Sequence, residues 1–247
     1  MQILLVPGSG CLGAGALCRV PWATAGMKCR RRWRVRGQRG RVRRLAAMTK
    51  GRSPAIVCAM TGSHRIEGYA IVSADGMIAG SDGAMPDTIR NDADQRFLQT
   101  EMDRAAVVVH GRHSHEGGPR AAKRKRIVAT RQVASIAPDR SHPNAVLWNP
   151  AGATLEQAIA ALGIGAGPIA VIGGTEVFGL FLPLYDAFNL TRAAHAHIPA
   201  GRPLFPQVGP QTTPEDVLAR HGLRAGPPRD IDPAAGITLT TWERSRQ

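Results

Sequence analysis

Cysteine and acidic residues are each missing from one part of this 247-residue chain. Cys11, Cys18, Cys29 and Cys58 all precede Met60, and no residue after it carries a thiol. That removes disulfides, Cys-ligated zinc and a cysteine nucleophile from the larger part of the chain. Residues 1–60 hold 13 Lys and Arg and no Asp or Glu, whereas residues 61–247 hold 19 basic against 18 acidic residues. Of the net charge of +14, the first 60 residues carry +13, so it does not mark the remainder as a polyanion binder. No apolar run reaches the roughly 18–20 residues of a membrane span. Nor does a basic segment stand ahead of Ile3–Val6, as a secretory signal requires. Residues 61–247 contain no internal repeat. A cytoplasmic location with no membrane partner is expected.

The first 60 residues contain a Gly8-Ser9-Gly10-Cys11-Leu12-Gly13 pattern after a short apolar run, which resembles a dinucleotide-binding fingerprint. The context rejects it. A βαβ unit needs a helix and a second apolar strand within about 30 residues, but here the chain runs into Lys28-Cys29-Arg30-Arg31-Arg32 and Arg41-Val42-Arg43-Arg44. Like charges at that density repel and resist burial, so residues 1–62 are read as a basic, disordered extension and 63–247 as one domain. Such an arm suits nucleic acid or a targeting receptor. The abrupt change of composition at Met60 favours a plainer expectation, that Met48 or Met60 is the true start and nucleic acid is not a partner.

From Ile66 onward, strand-like and helix-like segments alternate. Residues 69–73, 105–109, 126–130, 145–148 and 169–172 are short β-rich runs, apolar on both faces, as in a covered sheet. Ile89, Ala93 and Phe97 mark a helix over 88–103. Thr154 caps another, with Leu155, Ala158, Ile159 and Leu162 on one face and Gly163 as its stop. Thr175 caps a third, which Pro183 ends. Strands at 187–191 and 236–242, with little helix between, suggest an antiparallel edge. The pattern is α/β with a mainly parallel central sheet, an antiparallel C-terminal edge and helices on both faces.

Two strand-to-helix turns carry chemistry. Gly111-Arg112-His113-Ser114 follows a valine-rich strand, and Ile172-Gly173-Gly174-Thr175 follows another. Glycines there let a phosphate approach backbone N–H groups, and an arginine adds a bidentate grip. Each motif alone also suits an ordinary tight turn. Two in one sheet fit a redox ligand with separated phosphates, which points to NADP. Spacings among His110, His113 and His115, and between His195 and His197, could suit a metal, but with neither Cys nor an H-E-x-x-H pattern no metal is expected.

In order and spacing these elements resemble the dihydrofolate reductase superfamily, which also holds the reductase domain of riboflavin biosynthesis. Ala70 to Ala79 is similar to the first strand and active-site loop, Met85-Pro86 to the Met-Pro after it, and Gly111 to Ser114 to its Gly-Arg-x-Thr/Ser. Gly173-Gly174 is similar to its phosphate turn, Leu182-Pro183 through Leu190-Thr191 to its Leu-Pro…Leu-Thr segment, and Gly201 to Pro206 to a stretch ending Phe-Pro. The resemblance covers about 66–206 and, more loosely, the strand around Trp242.

The resemblance implies an NADPH-dependent reductase that moves hydride to a pteridine-like substrate such as dihydrofolate. The alternative is a 5-amino-6-(5-phosphoribosylamino)uracil reductase. Arg112 and Arg131 would bracket the 2′-phosphate. His113, Ser114, Thr130, Gly173, Gly174, Thr175, Glu176 and Val177 would complete the NADPH site, with Ile78 and Ala79 along the nicotinamide. Counting from Met85-Pro86 selects Asp92 as the acid, with Thr191 as its partner; Asp94 is the other candidate, and Asp87 stands where the dihydrofolate branch has a Trp. A carboxylate beside an apolar helix stripe has a raised pKa, as an acid catalyst needs. Phe97 would touch substrate, and Arg124 would grip the glutamate carboxylate of a folate. A monomer or homodimer is expected.

Deleting residues 1–60 is expected to leave folding and nucleotide binding intact, because that segment has no apolar periodicity and no acids to pair its arginines. Thermal denaturation of the shortened chain checks this, and a drop of more than about 5 °C would show that the segment packs on the domain.

Overall fold

The computed structural model describes residues 64–114 and 120–245. The Gly8–Gly13 pattern, the arginine runs, all four cysteines and His115 lie outside the described residues. Twelve strands among the described residues are β1 (Ile66–Ser73), β2 (Met77–Ala79), β3 (Val107–Gly111), β4 (Arg126–Ala129), β5 (Ile136–Pro138), β6 (Ala145–Trp148), β7 (Ile169–Val171), β8 (Ala187–Ala193), β9 (Arg202–Pro203), β10 (Leu223–Ala225), β11 (Arg229–Asp232) and β12 (Ile237–Arg244). Four α-helices join them: α1 (Asp92–Arg104), α2 (Leu155–Ala161), α3 (Thr175–Phe181) and α4 (Pro214–Arg220).

The main sheet runs β10-β12-β8-β1-β7-β3-β4-β6-β5, with β11 paired to β12. From β8 to β6 every pairing is parallel, and β12 joins β8 antiparallel. The expected architecture is therefore observed, and β5 adds an antiparallel strand at the opposite edge. Phe178, Phe181, Leu155 and Leu218, from α3, α2 and α4, pack with Val109, Ile127 and Phe188 in the principal core. On the other face, Phe97, Leu98 and Met102 of α1 pack with Tyr69, Val108 and Ala170. No described helix is long and apolar enough to cross a membrane.

Local chemistry explains where the helices start. Asn91 is extended, and its side chain accepts from the N–H groups of Ala93 (2.9 Å) and Asp94 (3.1 Å). α1 accordingly begins at Asp92 rather than Thr88, and Asp87–Ile89 form a separate 3-10 turn. Thr154 and Gln157 make a reciprocal capping box for α2, as its sequence suggests. α3 differs from expectation: Gly174 occupies its cap position and Thr175 is its first helical residue. α4 was not expected. Thr213-Pro214-Glu215-Asp216 is a capping box with proline in the first turn, a local signal present in the sequence.

Gly68 of β1 marks the tightest sheet-to-core approach in this region. A Cβ there would lie 2.2 Å from the Phe188 ring, which is fully buried among Phe178, Tyr185 and Phe205. Gly68→Ala is expected to destabilise the domain by about 1–3 kcal/mol, because these packed rings have no free volume to yield. Urea unfolding checks this, and an unchanged midpoint would mean that Phe188 turns aside without cost.

Candidate active site

Parallel pairing brings the ends of β3, β4 and β7 to one edge of the sheet. The Gly111 N–H donates to the Gly173 carbonyl at 2.7 Å, and the Ser114 N–H turns back to the Gly111 carbonyl at 2.9 Å. Gly173 has φ +132°, a conformation that side chains rarely adopt, and its peptide bond to Gly174 is cis. Cβ atoms added at Gly173 and Gly174 would sit 3.4 and 3.6 Å from the Ser114 hydroxyl. The two sequence motifs therefore form one cradle, in which backbone and one hydroxyl meet with no Cβ between them. Val177 is buried beneath Gly111, and Glu176 is exposed beside it.

Gly111 pairs with Ala129 across β3 and β4, so Arg112 and Arg131 leave neighbouring strand ends, and both are exposed, as is His113. Thr130 is buried, and its hydroxyl accepts from the Gln132 N–H. The Thr175 hydroxyl donates to the Pro203 carbonyl at 2.5 Å. Pro203 and Arg202 pair with Met77 and Ala79. That chain of contacts ties Ile78 and Ala79 to the Gly173-Gly174 turn.

The carboxylate beside Thr191 is Asp94, which corrects the expected Asp92. Asp94 is 9% exposed and Thr191 1%, and the Thr191 hydroxyl donates to the Asp94 carboxylate. Burial pushes the Asp94 carboxyl above its usual range, against the opposing effect of that hydrogen bond. Asp92 is exposed in the first turn of α1, where the helix dipole favours its charge. A signal for the register was present in Asn91. Taken as the cap, it places Asp94, Leu98 and Met102 on one stripe at i, i+4 and i+8.

Two further expectations change. Phe97 lies 100° of helical turn from Leu98; its ring packs on Tyr69 at 6.1 Å between centroids and beneath Arg229. With Asn189, Leu239 and Thr241 it lines a groove over β8 and β12. Phe97, Leu98 and Ile172, the residue before Gly173, all pack against the apolar cluster of Tyr69, Met102, Val108 and Ala170; Leu98, one turn after Asp94, is the apolar neighbour that the sequence did not single out. Arg124 is 8% exposed and is held by Asp103 (2.5 and 3.0 Å) and Gln99 (2.8 Å) of α1. Its guanidinium clamps the approach to β4 onto α1 instead of reaching outward. That bond holds the Asp103 carboxyl below its usual range.

The loop after β1 is fastened at three points. Ser73 donates to Asp75, and the Asp75 carboxylate also accepts from the Ile198 N–H at 3.1 Å. Burial opposes that charge, but these donors outweigh it and hold the Asp75 carboxyl below its usual range. Arg192 of β8 donates to the Ser73 and Ala74 carbonyls and pairs with Glu215 of α4. Asp87, in its 3-10 turn, is exposed and pairs with Arg90 at 3.3 Å.

The family model of dihydrofolate reductase matches residues 66–215. Three solved structures share the fold. A protein from Shewanella sp. PV-4 assigned to riboflavin biosynthesis is 21% identical, with a TM-score of 0.52 over 74% of this chain and 99% of that one. Dihydrofolate reductase from Enterococcus faecalis, complexed with NADP(H) and RAB-propyl, is 17% identical, with a TM-score of 0.50 over 74% and 97%. The diaminohydroxyphosphoribosylaminopyrimidine deaminase/5-amino-6-(5-phosphoribosylamino)uracil reductase of Thermotoga maritima is 16% identical, with a TM-score of 0.52. The match covers 74% of this chain and 57% of the Thermotoga protein. No curated protein sequence matches the chain.

The buried carboxyl has a pH signature of its own. A group whose folded pKa lies above its unfolded one contributes stability that is complete below the ordinary carboxylate range and is lost as pH rises through the raised value. Asp94→Asn keeps an acceptor for Thr191 and removes the titration. It is expected to raise the melting temperature at neutral pH and to lose that advantage as pH falls toward about 4. Paired thermal melts across that range check this, and a difference independent of pH would show that burial does not penalise the carboxylate.

Proposed function

The chain belongs to the dihydrofolate reductase family, and we propose that it is an NADPH-dependent reductase acting on a C=N bond of a pteridine-like or pyrimidine-like ring. The observation that carries this reading is the buried Asp94 carboxyl, held by Thr191, on the face of the sheet whose neighbouring strand ends form the Gly111/Gly173 cradle. A hydride donor with separated phosphates fits such a cradle, since the bare Gly173-Gly174 backbone, with φ +132° at Gly173, leaves its surface open beside the Ser114 hydroxyl. In this reading the Gly173 and Gly174 backbone, Ser114, Thr175 and His113 hold the phosphates. Thr130, Glu176 and Val177 shape the surrounding wall, and Arg112 and Arg131 bracket a 2′-phosphate. Ile78 and Ala79 lie along the nicotinamide, which supplies the hydride.

The protein's own chemistry is a proton and a position. A carboxyl with a raised pKa stays protonated nearer to neutral pH and donates a hydrogen bond to a ring nitrogen, which makes the adjoining carbon more electrophilic. Thr191 fixes the rotation of that carboxyl, and Leu98 offers an apolar wall that excludes water. The substrate is a small molecule, and dihydrofolate is one reading. The engagement of Arg124 by Asp103 and Gln99 favours the second, a substrate without a glutamyl tail such as 5-amino-6-(5-phosphoribosylamino)uracil's ribosylamino-pyrimidine class.

The test follows NADPH oxidation with dihydrofolate and with the riboflavin-pathway pyrimidine. Turnover of either is expected to fall by about 10² to 10⁴ in Asp94→Asn and to persist in Asp92→Asn. Arg112→Ala or Arg131→Ala is expected to weaken NADPH about tenfold and leave NADH nearly unchanged. Oxidation that ignores Asp94, or equal losses for both nucleotides, would sink the assignment of these groups.

A further inference from the structure

A second concave surface lies on the other flank of α1. Residues 226–229 rise opposite the helix over the starts of β1 and β8, and enclose a groove of about 780 Å³. Its floor includes Asn189 and Thr241, which pair across β8 and β12. Tyr69 and Phe97 form one wall, their rings inclined by 54°. None of the groups assigned above to hydride transfer lines it. The volume lies within the range of small-molecule sites, about 300–1,000 Å³.

Two polar groups face this groove with hydrogen-bonding capacity that the described residues do not fill. Asn189 is 8% exposed, and its side-chain carbonyl accepts from the Thr241 hydroxyl at 2.8 Å. Its amide nitrogen donates to no acceptor among the described residues and is not sealed in the core, so it is left open to the groove. At the rim, Glu67 is paired with Arg65 and Glu101 with Arg104. Arg229 alone of the rim cations has no carboxylate among the described residues; its guanidinium carbon stands 5.9 Å from the centre of the Phe97 ring. An inclined aromatic wall, an open N–H donor at the base and an unneutralised guanidinium at the mouth describe complementary features of one ligand.

We propose that this groove is a second small-molecule site, separate from the Asp94 site, that takes an aromatic carboxylate bearing another oxygen on its ring system. The ring lies against Phe97 and Tyr69, where aromatic pairs gain beyond their buried area. The carboxylate meets Arg229 in a charge-assisted hydrogen bond, and the ring oxygen accepts from the Asn189 amide. A cationic ligand would face Arg229, an aliphatic one would forgo the contacts with Phe97 and Tyr69, and one without a second oxygen would give the Asn189 amide no acceptor.

The probe for this site is 6-hydroxy-2-naphthoate, whose own fluorescence reports binding to the full chain. Saturable one-site binding is expected. It should weaken about tenfold in Arg229→Gln and in Asn189→Leu, the loss expected for one hydrogen bond to each, and it should persist in Asp94→Asn. Naphthalen-2-ol, which lacks the carboxylate, should bind about tenfold more weakly to the wild type and equally to Arg229→Gln. Arg229 is at the surface, so that variant keeps the fold even if Asn189→Leu does not. Absence of saturation overturns the proposal. So does binding that is indifferent to Arg229→Gln but lost in Asp94→Asn, which would place the probe in the other site and leave the reductase reading standing.

Discussion

The hydrogen bond from the Gly111 N–H to the Gly173 carbonyl organises the rest of the candidate active site. It forms because β7 lies between β1 and β3, with all three strands parallel. Parallel pairing sends every following loop to the same edge, so turns distant in sequence become one surface. Glycine at position 173 permits the φ of +132° that turns its carbonyl to the Gly111 N–H, and Ser114 is the hydroxyl beside this turn. The Thr175 bond to Pro203 then extends the same rigid unit to β2.

Helix α1 separates two environments. Its Asp94 meets Thr191 of β8, its Met102 packs with Val108 and Ala170, and its Phe97 and Glu101 edge lines the groove beside Asn189 and Thr241. One turn farther along, Gln99 and Asp103 take up Arg124. A buried guanidinium is retained only where its hydrogen bonds are met, and here α1 itself meets them. The orientation of the helix thus sets at once which carboxyl is buried, which aromatic ring lines the groove and which arginine is consumed.

Electrostatics at the end of β1 works in the opposite sense to that at Asp94. Asp75 keeps its charge because Ser73 and the Ile198 N–H surround it with donors, whereas Asp94 has the Thr191 hydroxyl and an apolar setting. The Asp75 carboxyl after β1 and the Asp94 carboxyl in the first turn of α1 are thereby pushed apart in acidity.

The sequence by itself determined the alternation of strands and helices, the two glycine turns, the α2 cap and the family to which their order belongs. Those features are local: side-chain period, capping hydroxyls and glycine turns act within a few residues of themselves. It left the register of α1 open, because Asp92 and Asp94 share one first turn and differ only in what the helix faces. It also concealed β5 and the fate of Arg124, since an edge strand and a buried arginine both resemble solvated loop in a chain read alone, whereas α4 carried a local signal in its Thr213–Asp216 capping box. Only the tertiary structure decided these points. Burial is a property of the assembled sheet and helix, and burial selected Asp94 over Asp92, drew Arg124 onto Asp103 and turned Phe97 toward β8.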